Sequence, residues 1–279
     1  MKRYRAGAPI LVTVGIMLGL VAAMPRLPRA SAQPAGGIYQ ATIITTGSDT
    51  RFRNAGFARA LREVLVKASG EPRLAKDSRV NGVVPEAEKL VAFFSYRDQM
   101  EGIHHHDDQG TYDRPFELTV QFDWLSINAA LARLGEKPWL GERPTLVPVI
   151  LVRGHERPFD QTYLISDEEP AATAQRDSLS YCAQKYGLGL RVPSPADLTI
   201  WNVRPSEIPR PSASAATNKF LIVGTLDFRL RTLGWVGMWK ATWRGTDYEW
   251  GVSGVSFDKA FDNLVAGVAR IASGHGRPD

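Results

Sequence analysis

The densest group of side chains that could bind a metal ion is a short run made up of His104, His105, His106, Asp107 and Asp108. Imidazole nitrogens and carboxylate oxygens are good ligands for zinc and similar ions. Consecutive residues point in different directions, however, and metal sites usually take their ligands from several elements. The run lies beside Gly102 and Gly110, between two predicted strands, where an exposed hairpin loop is expected. Two interpretations stay open, a metal site and a solvated loop, and the geometry favours the loop.

A second candidate site is a row of tryptophans. Trp235, Trp239 and Trp243 are spaced by four residues, so on a strand they share one face. An exposed row of this kind could stack on sugar rings or pack on a partner protein. A buried row would form the core face beneath the last helix, because large aromatic side chains bury much apolar area. Core packing is the favoured interpretation, and a binding surface is the alternative.

The usual catalytic motifs are absent from the sequence. The segment 251–255 comes close to a G-x-S-x-G nucleophile elbow, but its second glycine, Gly254, stands one place too early. No H-E-x-x-H, phosphate-binding P-loop or G-x-G-x-x-G occurs. The only cysteine, Cys182, cannot form an intramolecular disulfide, and we expect it to be buried. The sequence therefore predicts no catalytic residue and no cofactor.

The elements that must position any site begin with a strand and a long helix. Residues 38–46 are rich in β-branched types and are bounded by glycines, which predicts a strand. Ser48 or Asp49 then caps a helix over residues 50–68, which Gly70 ends. Its apolar stripe consists of Phe57, Leu61, Val64, Leu65 and Ala68. The charged side chains that this stripe leaves mostly to solvent are Arg53, Arg59, Arg62, Glu63 and Lys67.

The pattern continues with short strands and helices. In the first half we predict a helix at 85–92, strands at 93–100 and 116–122, a helix capped by Asp123, and an apolar strand at 146–152. Pro148 cannot donate to a strand ladder, so it predicts that this last strand lies at an edge or contains a bulge. In the second half we predict a helix at 171–186, strands at 188–192, 220–230, 234–243 and 248–255, and a final helix between Ser256 and Gly274.

This order of elements predicts an α/β fold of the α+β type, with two small sandwiches of antiparallel or mixed sheet covered by helices. The turn-forming segment 154–158 is the best domain boundary. We therefore predict an N-terminal domain at 33–153 and a C-terminal domain at 154–279. The latter contains a loop rich in proline, serine and alanine at 204–218.

Residues 1–32 have the order of a secretory signal peptide. A basic start is followed by an apolar run at 9–24 and by the small residues 30–32, which predicts cleavage before Gln33. The run is shorter than the ~20 residues of a membrane span, so we expect no transmembrane anchor after cleavage. The whole chain has 34 basic and 29 acidic residues, and five of the basic ones lie in this segment. The remaining chain is then neutral, which argues against nucleic-acid binding.

Several segments resemble a family of secreted bacterial proteins, the domain of unknown function 2066. The similar segments are 53–70, 94–96, 120–123, 220–224, the strand with Trp239 and Trp243, and 256–261. The resemblance runs from about residue 38 to 273, and its motifs are helix stripes, caps and strand ends. It implies no catalytic residue, because that family carries no established activity. The strand ending at Gly224, with the hairpin and helix that follow, is also similar to small α/β modules of bacterial envelope assembly proteins.

Together these features predict an exported, periplasmic or secreted protein. The leading hypothesis is a non-enzymatic cell-envelope protein that binds a protein partner or assists envelope assembly. The alternative is a periplasmic cell-wall hydrolase or glycan-binding module that uses the tryptophan row or scattered carboxylates. The sequence does not indicate an oligomeric state.

Overall fold

The first half of the chain builds a three-stranded antiparallel sheet against a long helix. The computed structural model describes residues 37–102, 114–154, 160–205, 207 and 219–278. Its first sheet contains β1 (Gln40–Thr45), β2 (Val91–Asp98) and β3 (Phe116–Phe122), in the order β1-β3-β2. Helix α1 (Thr50–Ser69) packs on this sheet, and α2 (Trp124–Arg133) contacts α1. Strand β3 is therefore central, and β1 and β2 are edge strands.

Local signals fix both ends of α1 as predicted. The Asp49 side chain accepts a hydrogen bond from the Arg51 backbone N–H, and Gly70 closes the helix in the left-handed conformation at φ 76°. The predicted apolar stripe is buried against the sheet. The region between α1 and β2 consists of three short 3-10 helices, Pro72–Lys76, Ser78–Gly82 and Val84–Leu90, where one helix at 85–92 was predicted.

The second half forms a mixed six-stranded sheet. Its main path is β5 (Thr162–Leu164), β4 (Thr145–Gly154), β7 (Lys219–Arg229), β8 (Gly234–Trp243) and β9 (Thr246–Val255). The short β6 (Gly189–Leu190) pairs in parallel with the start of β4. Helices α3 (Thr173–Tyr186) and α5 (Phe257–Ser273) pack together, and α5 covers β7, β8 and β9. Helix α4 (Pro195–Ile200) contributes Leu198 to a smaller apolar cluster with Val149 and Leu151 of β4.

Strand β4 corrects the expectation that Pro148 lies at an edge or in a bulge. Strand β4 is central, and its pairing with β7 runs without a register shift past Pro148. On the other side of β4, β6 pairs with residues 145–146 and β5 with residues 151–153. Pro148 falls in the gap between these two short partners. A central strand tolerates proline there, because no ladder hydrogen bond is needed on that side.

These sheets confirm the α+β fold, with one antiparallel sheet and one mixed sheet, each carrying helices. The division into domains at 153/154 stays a prediction. Strand β4, which lies just before that boundary, pairs with β7 of the second half. Residues Pro34–Asp279 form one compact unit, and a single large core cluster draws on both sheets.

Candidate functional site

The histidine-rich run lies outside the described residues. His104, His105, His106, Asp107 and Asp108 all belong to the segment 103–113, so the metal-site hypothesis stays a prediction. Among the residues that the structure does describe, no group of three or more His, Cys, Asp or Glu side chains could hold a metal ion.

The tryptophan row packs under the last helix. Trp239 is 0% exposed and Trp235 is 7% exposed, and both rings contact phenylalanines of α5. Trp239 Nε1 donates to Asn263 Oδ1 at 3.1 Å, which satisfies the polar atom of the buried ring. Trp243 is half-buried and stacks on Phe220 with 4.8 Å between ring centroids. This burial agrees with core packing and leaves Trp235 and Trp239 unable to meet a sugar ring from solvent.

A sizeable cavity lies elsewhere, in a groove against the edge of β1 that faces away from β3. We call it the edge groove. It encloses about 640 Å³. One wall is the strand segment 40–44, and the floor carries charged side chains of α1. The opposite wall belongs to the second half of the chain, namely α3 and the segment 187–189. The polar side chains that line the groove are Gln40, Thr42, Arg59, Glu63, Lys67, Glu117, Tyr181, Gln184 and Lys185.

Alternate backbone groups of β1 face the edge groove. In an antiparallel pair, the N–H and C=O of one residue point to the partner strand and those of the next residue point away. Phe122 N–H donates to Tyr39 O at 2.9 Å, so odd-numbered residues of this segment bond to β3. The backbone groups of Gln40, Thr42 and Ile44 therefore point away from β3, toward the groove. The edge groove thus lies along strand backbone that no other strand pairs with among the described residues.

Two basic side chains of α1 cap this edge. Lys67 Nζ donates to Gln40 O at 2.7 Å, and Arg59 Nη1 donates to Ile44 O at 2.9 Å. Basic side chains at a sheet edge hinder unwanted strand pairing. Thr42 lies between the two capped carbonyls. Across the described residues no strand pairs with this edge, so the Thr42 N–H and C=O are open to a ligand.

Glu63 occupies the centre of the groove floor. It stands one helical turn from both Arg59 and Lys67, so the three side chains share one face of α1. Its carboxylate is half-buried and forms no hydrogen bond or ion pair with any described residue. Burial raises the pKa of Glu63, and the positive charges of Lys185, Lys67 and Arg59 only partly offset this. The groove therefore presents a carboxyl group without a direct partner.

The positive charge of Lys185 on the α3 wall is neutralised by Asp262. Lys185 Nζ lies 2.6 Å from Asp262 Oδ1 on α5, and the Tyr186 hydroxyl donates to the same oxygen at 3.1 Å. Burial lowers the pKa of Lys185, but the hydrogen bond and charge of Asp262 outweigh it, so that pKa is raised. Neighbouring Cys182 is buried as expected, and burial raises its thiol pKa to about 12. It forms no thiolate near neutral pH and is not an activated nucleophile.

Arg143 holds the two walls of the groove together. Its Nη2 donates to Lys67 O at 2.8 Å and its Nη1 donates to Tyr186 O at 3.2 Å, which joins the ends of α1 and α3. Gly187 ends α3 with φ 67°, and a Cβ there would lie 2.9 Å from Ile38 Cδ1. Only glycine lets the chain turn so close to the segment before β1. These contacts set the width of the groove at this end.

Sequence reasoning missed this site. Glu63 and Lys67 were expected to be mostly solvent-exposed, but Lys67 is only 7% exposed and Glu63 is half-buried. The reason is that β1 and α3 enclose a second face of α1, and the apolar stripe of α1 does not reveal that face. The available signal was the spacing of Arg59, Glu63 and Lys67, which places alternating charges on one line of the helix.

Within the described ranges, none of the helices is long and apolar enough to cross a membrane. A sequence model for a family described as Domain of unknown function (DUF8605) matches residues 32–140, which is less than half of the chain. This is a different family from the domain of unknown function 2066, so the predicted resemblance is wrong. No curated protein and no solved structure matches the chain. The matched span ends before β4, so it includes β1 and α1 of the edge groove and excludes the α3 wall.

Proposed function

We propose that this is an exported, non-enzymatic protein of the bacterial cell envelope that binds a protein partner in the edge groove. The pattern of residues 1–32 supports export, and the neutral charge of the remaining chain favours a partner other than nucleic acid.

The observation that carries this proposal is the partnerless Glu63 carboxyl in the groove. This half-buried carboxyl makes no hydrogen bond within the described chain, so it is available to a hydrogen-bond donor from a ligand. The surrounding cations are each occupied. Lys67 and Arg59 bond to carbonyls of β1, and Lys185 pairs with Asp262. A hydrogen-bond donor from a partner would satisfy Glu63 without breaking any of these contacts.

The shape of the groove favours an extended polypeptide segment as the occupant. Thr42 offers one backbone donor and one backbone acceptor at the strand edge, which a parallel or antiparallel peptide backbone can use. The capped carbonyls of Gln40 and Ile44 limit this pairing to a short stretch. We therefore expect one or two backbone hydrogen bonds at Thr42 and a side-chain donor placed against Glu63.

Two groups on α3 next to the edge groove, Cys182 and Tyr186, are not poised for catalysis. General acid–base or nucleophilic catalysis needs groups with pKa values tuned toward neutral pH. The pKa of Cys182 is raised to about 12, and burial also raises the pKa of Tyr186. These shifts move both groups away from reactivity.

Site-specific photocrosslinking in the native host tests the binding site. A photoreactive residue at Gln184, on the exposed α3 wall, should yield a small set of defined crosslinked bands. The same residue at Ile200, on exposed α4, is the matched control and should not yield those bands. Glu63→Gln and Thr42→Pro should each weaken the Gln184 crosslinks. Thr42→Pro removes only an outward-facing N–H, so the β1–β3 ladder stays intact. Equal crosslinking from both positions would refute the proposed site.

Cell fractionation tests the proposed location separately. The mature protein should appear in the periplasmic or culture fraction, and mass spectrometry should identify Gln33 as its first residue. Recovery of the protein from the cytoplasm with residues 1–32 retained would contradict export, whatever the crosslinking result.

A further inference from the structure

The tip of the β7–β8 hairpin combines exposed leucines with arginines. It consists of Arg229, Leu230, Arg231, Thr232 and Leu233, and all five residues are exposed. We call it the leucine tip. The Leu230 side chain is 49% exposed and that of Leu233 is 87% exposed. The tip connects two long paired strands, β7 and β8, whose last paired residues are Arg229 and Gly234.

Leucine is an unusual residue for the backbone conformation found at position 233. Leu233 adopts the left-handed conformation, with φ 51° and ψ 38°, where its N–H closes a turn by donating to Leu230 O at 3.0 Å. Glycine and asparagine adopt this conformation with less strain than leucine. The side chain gains no burial in return for that strain. The needs of folding therefore do not explain a leucine here, whereas insertion into an apolar phase does.

The leucine tip itself carries two positive charges, those of Arg229 and Arg231. Segment 228–246 contains no Asp or Glu. The nearest carboxylate at the base of the hairpin, Asp227, is buried and held by Arg153 at 2.7 and 2.8 Å. Arg229 makes a longer contact with Asp227, at 3.4 Å, and is largely exposed. Arg231 projects further along the tip and is exposed as well.

We infer that the leucine tip attaches the protein reversibly to the surface of an anionic lipid bilayer. Leu230 and Leu233 would enter the boundary between headgroups and acyl chains, while Arg229 and Arg231 would contact lipid phosphates. Two exposed leucines alone offer far less area than a specific protein interface, which buries about 1,000 Å² or more. A few apolar side chains with adjacent basic residues are sufficient for reversible interfacial attachment.

Vesicle co-sedimentation tests this inference with residues 33–279, which include the compact unit Pro34–Asp279. The probes are vesicles of phosphatidylglycerol mixed with phosphatidylethanolamine, and vesicles of phosphatidylcholine alone. The protein should bind the anionic vesicles more tightly, and salt should weaken that binding. Arg231→Gln should reduce the affinity by about fivefold, which corresponds to loss of one basic residue near an anionic surface.

Leu233→Asn is the decisive variant. Asparagine tolerates the left-handed conformation, so the fold should be retained and the thermal midpoint should stay equal or rise. Affinity for anionic vesicles should nevertheless fall by about tenfold, because one of the two inserting side chains is lost. The matched control is Leu140→Asn, at a leucine 76% exposed in another loop, and it should bind as the parent does. Absence of vesicle binding by the parent, or equal binding by Leu233→Asn, would overturn the inference.

Discussion

Glu63 is a half-buried carboxyl that makes no hydrogen bond or ion pair with a described residue. A half-buried carboxyl without a direct partner costs folding free energy when it is ionised. Because burial raises its pKa, the folded state holds the proton more tightly than the unfolded state does. Its contribution to stability is therefore fully present below the unfolded pKa and is lost as the pH rises through the folded pKa.

Replacing this carboxyl tests whether its partial burial lowers the stability of the folded protein at neutral pH. Glu63→Gln should increase the free energy of unfolding at pH 7 by about 1 kcal/mol, because the neutral amide avoids the cost of a partly buried charge. The gain should shrink as the pH falls through the carboxyl range, where Glu63 itself becomes protonated. Urea unfolding at several pH values measures both effects.

A surface carboxylate provides the control for Glu63. Glu249→Gln removes one member of an exposed pair with Lys240, whose Nζ–Oε2 distance is 3.1 Å. Its effect should stay within about 0.5 kcal/mol at every pH. A destabilising and pH-independent effect of Glu63→Gln would show that the carboxyl is satisfied in the folded protein.

Trp239 provides a second prediction at the scale of a residue. Its ring is fully buried against Phe261, and its Nε1 is hydrogen-bonded to Asn263. Trp239→Ala should cost about 3–5 kcal/mol of unfolding free energy through lost burial and a residual cavity. Trp243→Ala, at a half-buried ring, should cost distinctly less. Denaturant unfolding measures the difference, and equal costs would contradict the packing described for the row.

Helix α5 shows how packing can reverse a preference of local structure. Gly267 lies inside this helix, where alanine is normally favoured by about 1 kcal/mol. A Cβ at this position would lie 2.5 Å from Trp250 Nε1, whose own hydrogen bond goes to Asn263 O at 3.3 Å. Close packing of the helix on β9 therefore requires glycine here.

Gly267→Ala should accordingly lower the free energy of unfolding by about 1–2 kcal/mol, since overpacking outweighs the gain in helix propensity. Gly82→Ala is a suitable control, because its Cβ would meet nothing within 4 Å. Thermal unfolding of both variants checks the sign. A stabilised Gly267→Ala protein would mean that α5 is free to move away from β9.

Element-scale comparison also shows which features the sequence could predict. The ends of α1, α2 and α5 were predictable, because their caps Asp49, Asp123 and Ser256 act on backbone groups within three residues. The central position of β4 was not predictable, because the gap opposite Pro148 depends on two short strands from elsewhere in the chain. The edge groove was unpredictable for the same reason. Its walls come from distant segments, and no local periodicity relates Glu63 to Lys185.

At the scale of the whole molecule, hydrogen bonds and an ion pair connect the two halves of the chain beside the shared core. Arg143 bridges α1 and α3, and the Ser273 hydroxyl of α5 donates to Gly70 O at 3.1 Å. A further link is a buried ion pair between Glu71, just after α1, and Arg270 of α5. Because these links connect the two halves directly, we expect them to unfold together.

The Glu71–Arg270 pair tests that expectation. Arg270→Met should cost about 3–5 kcal/mol, because it leaves the buried Glu71 carboxylate without its charged partner. Adding Glu71→Leu should recover much of this loss, since no uncompensated buried charge then remains. Urea unfolding followed by both tryptophan fluorescence and circular dichroism should give one coincident transition for every variant. If the halves were independent domains, Arg270→Met would separate the two signals into distinct transitions. The free energy of unfolding of Arg270→Met therefore measures the loss of the ion pair. The coincidence of the fluorescence and circular dichroism transitions decides between one folding unit and two.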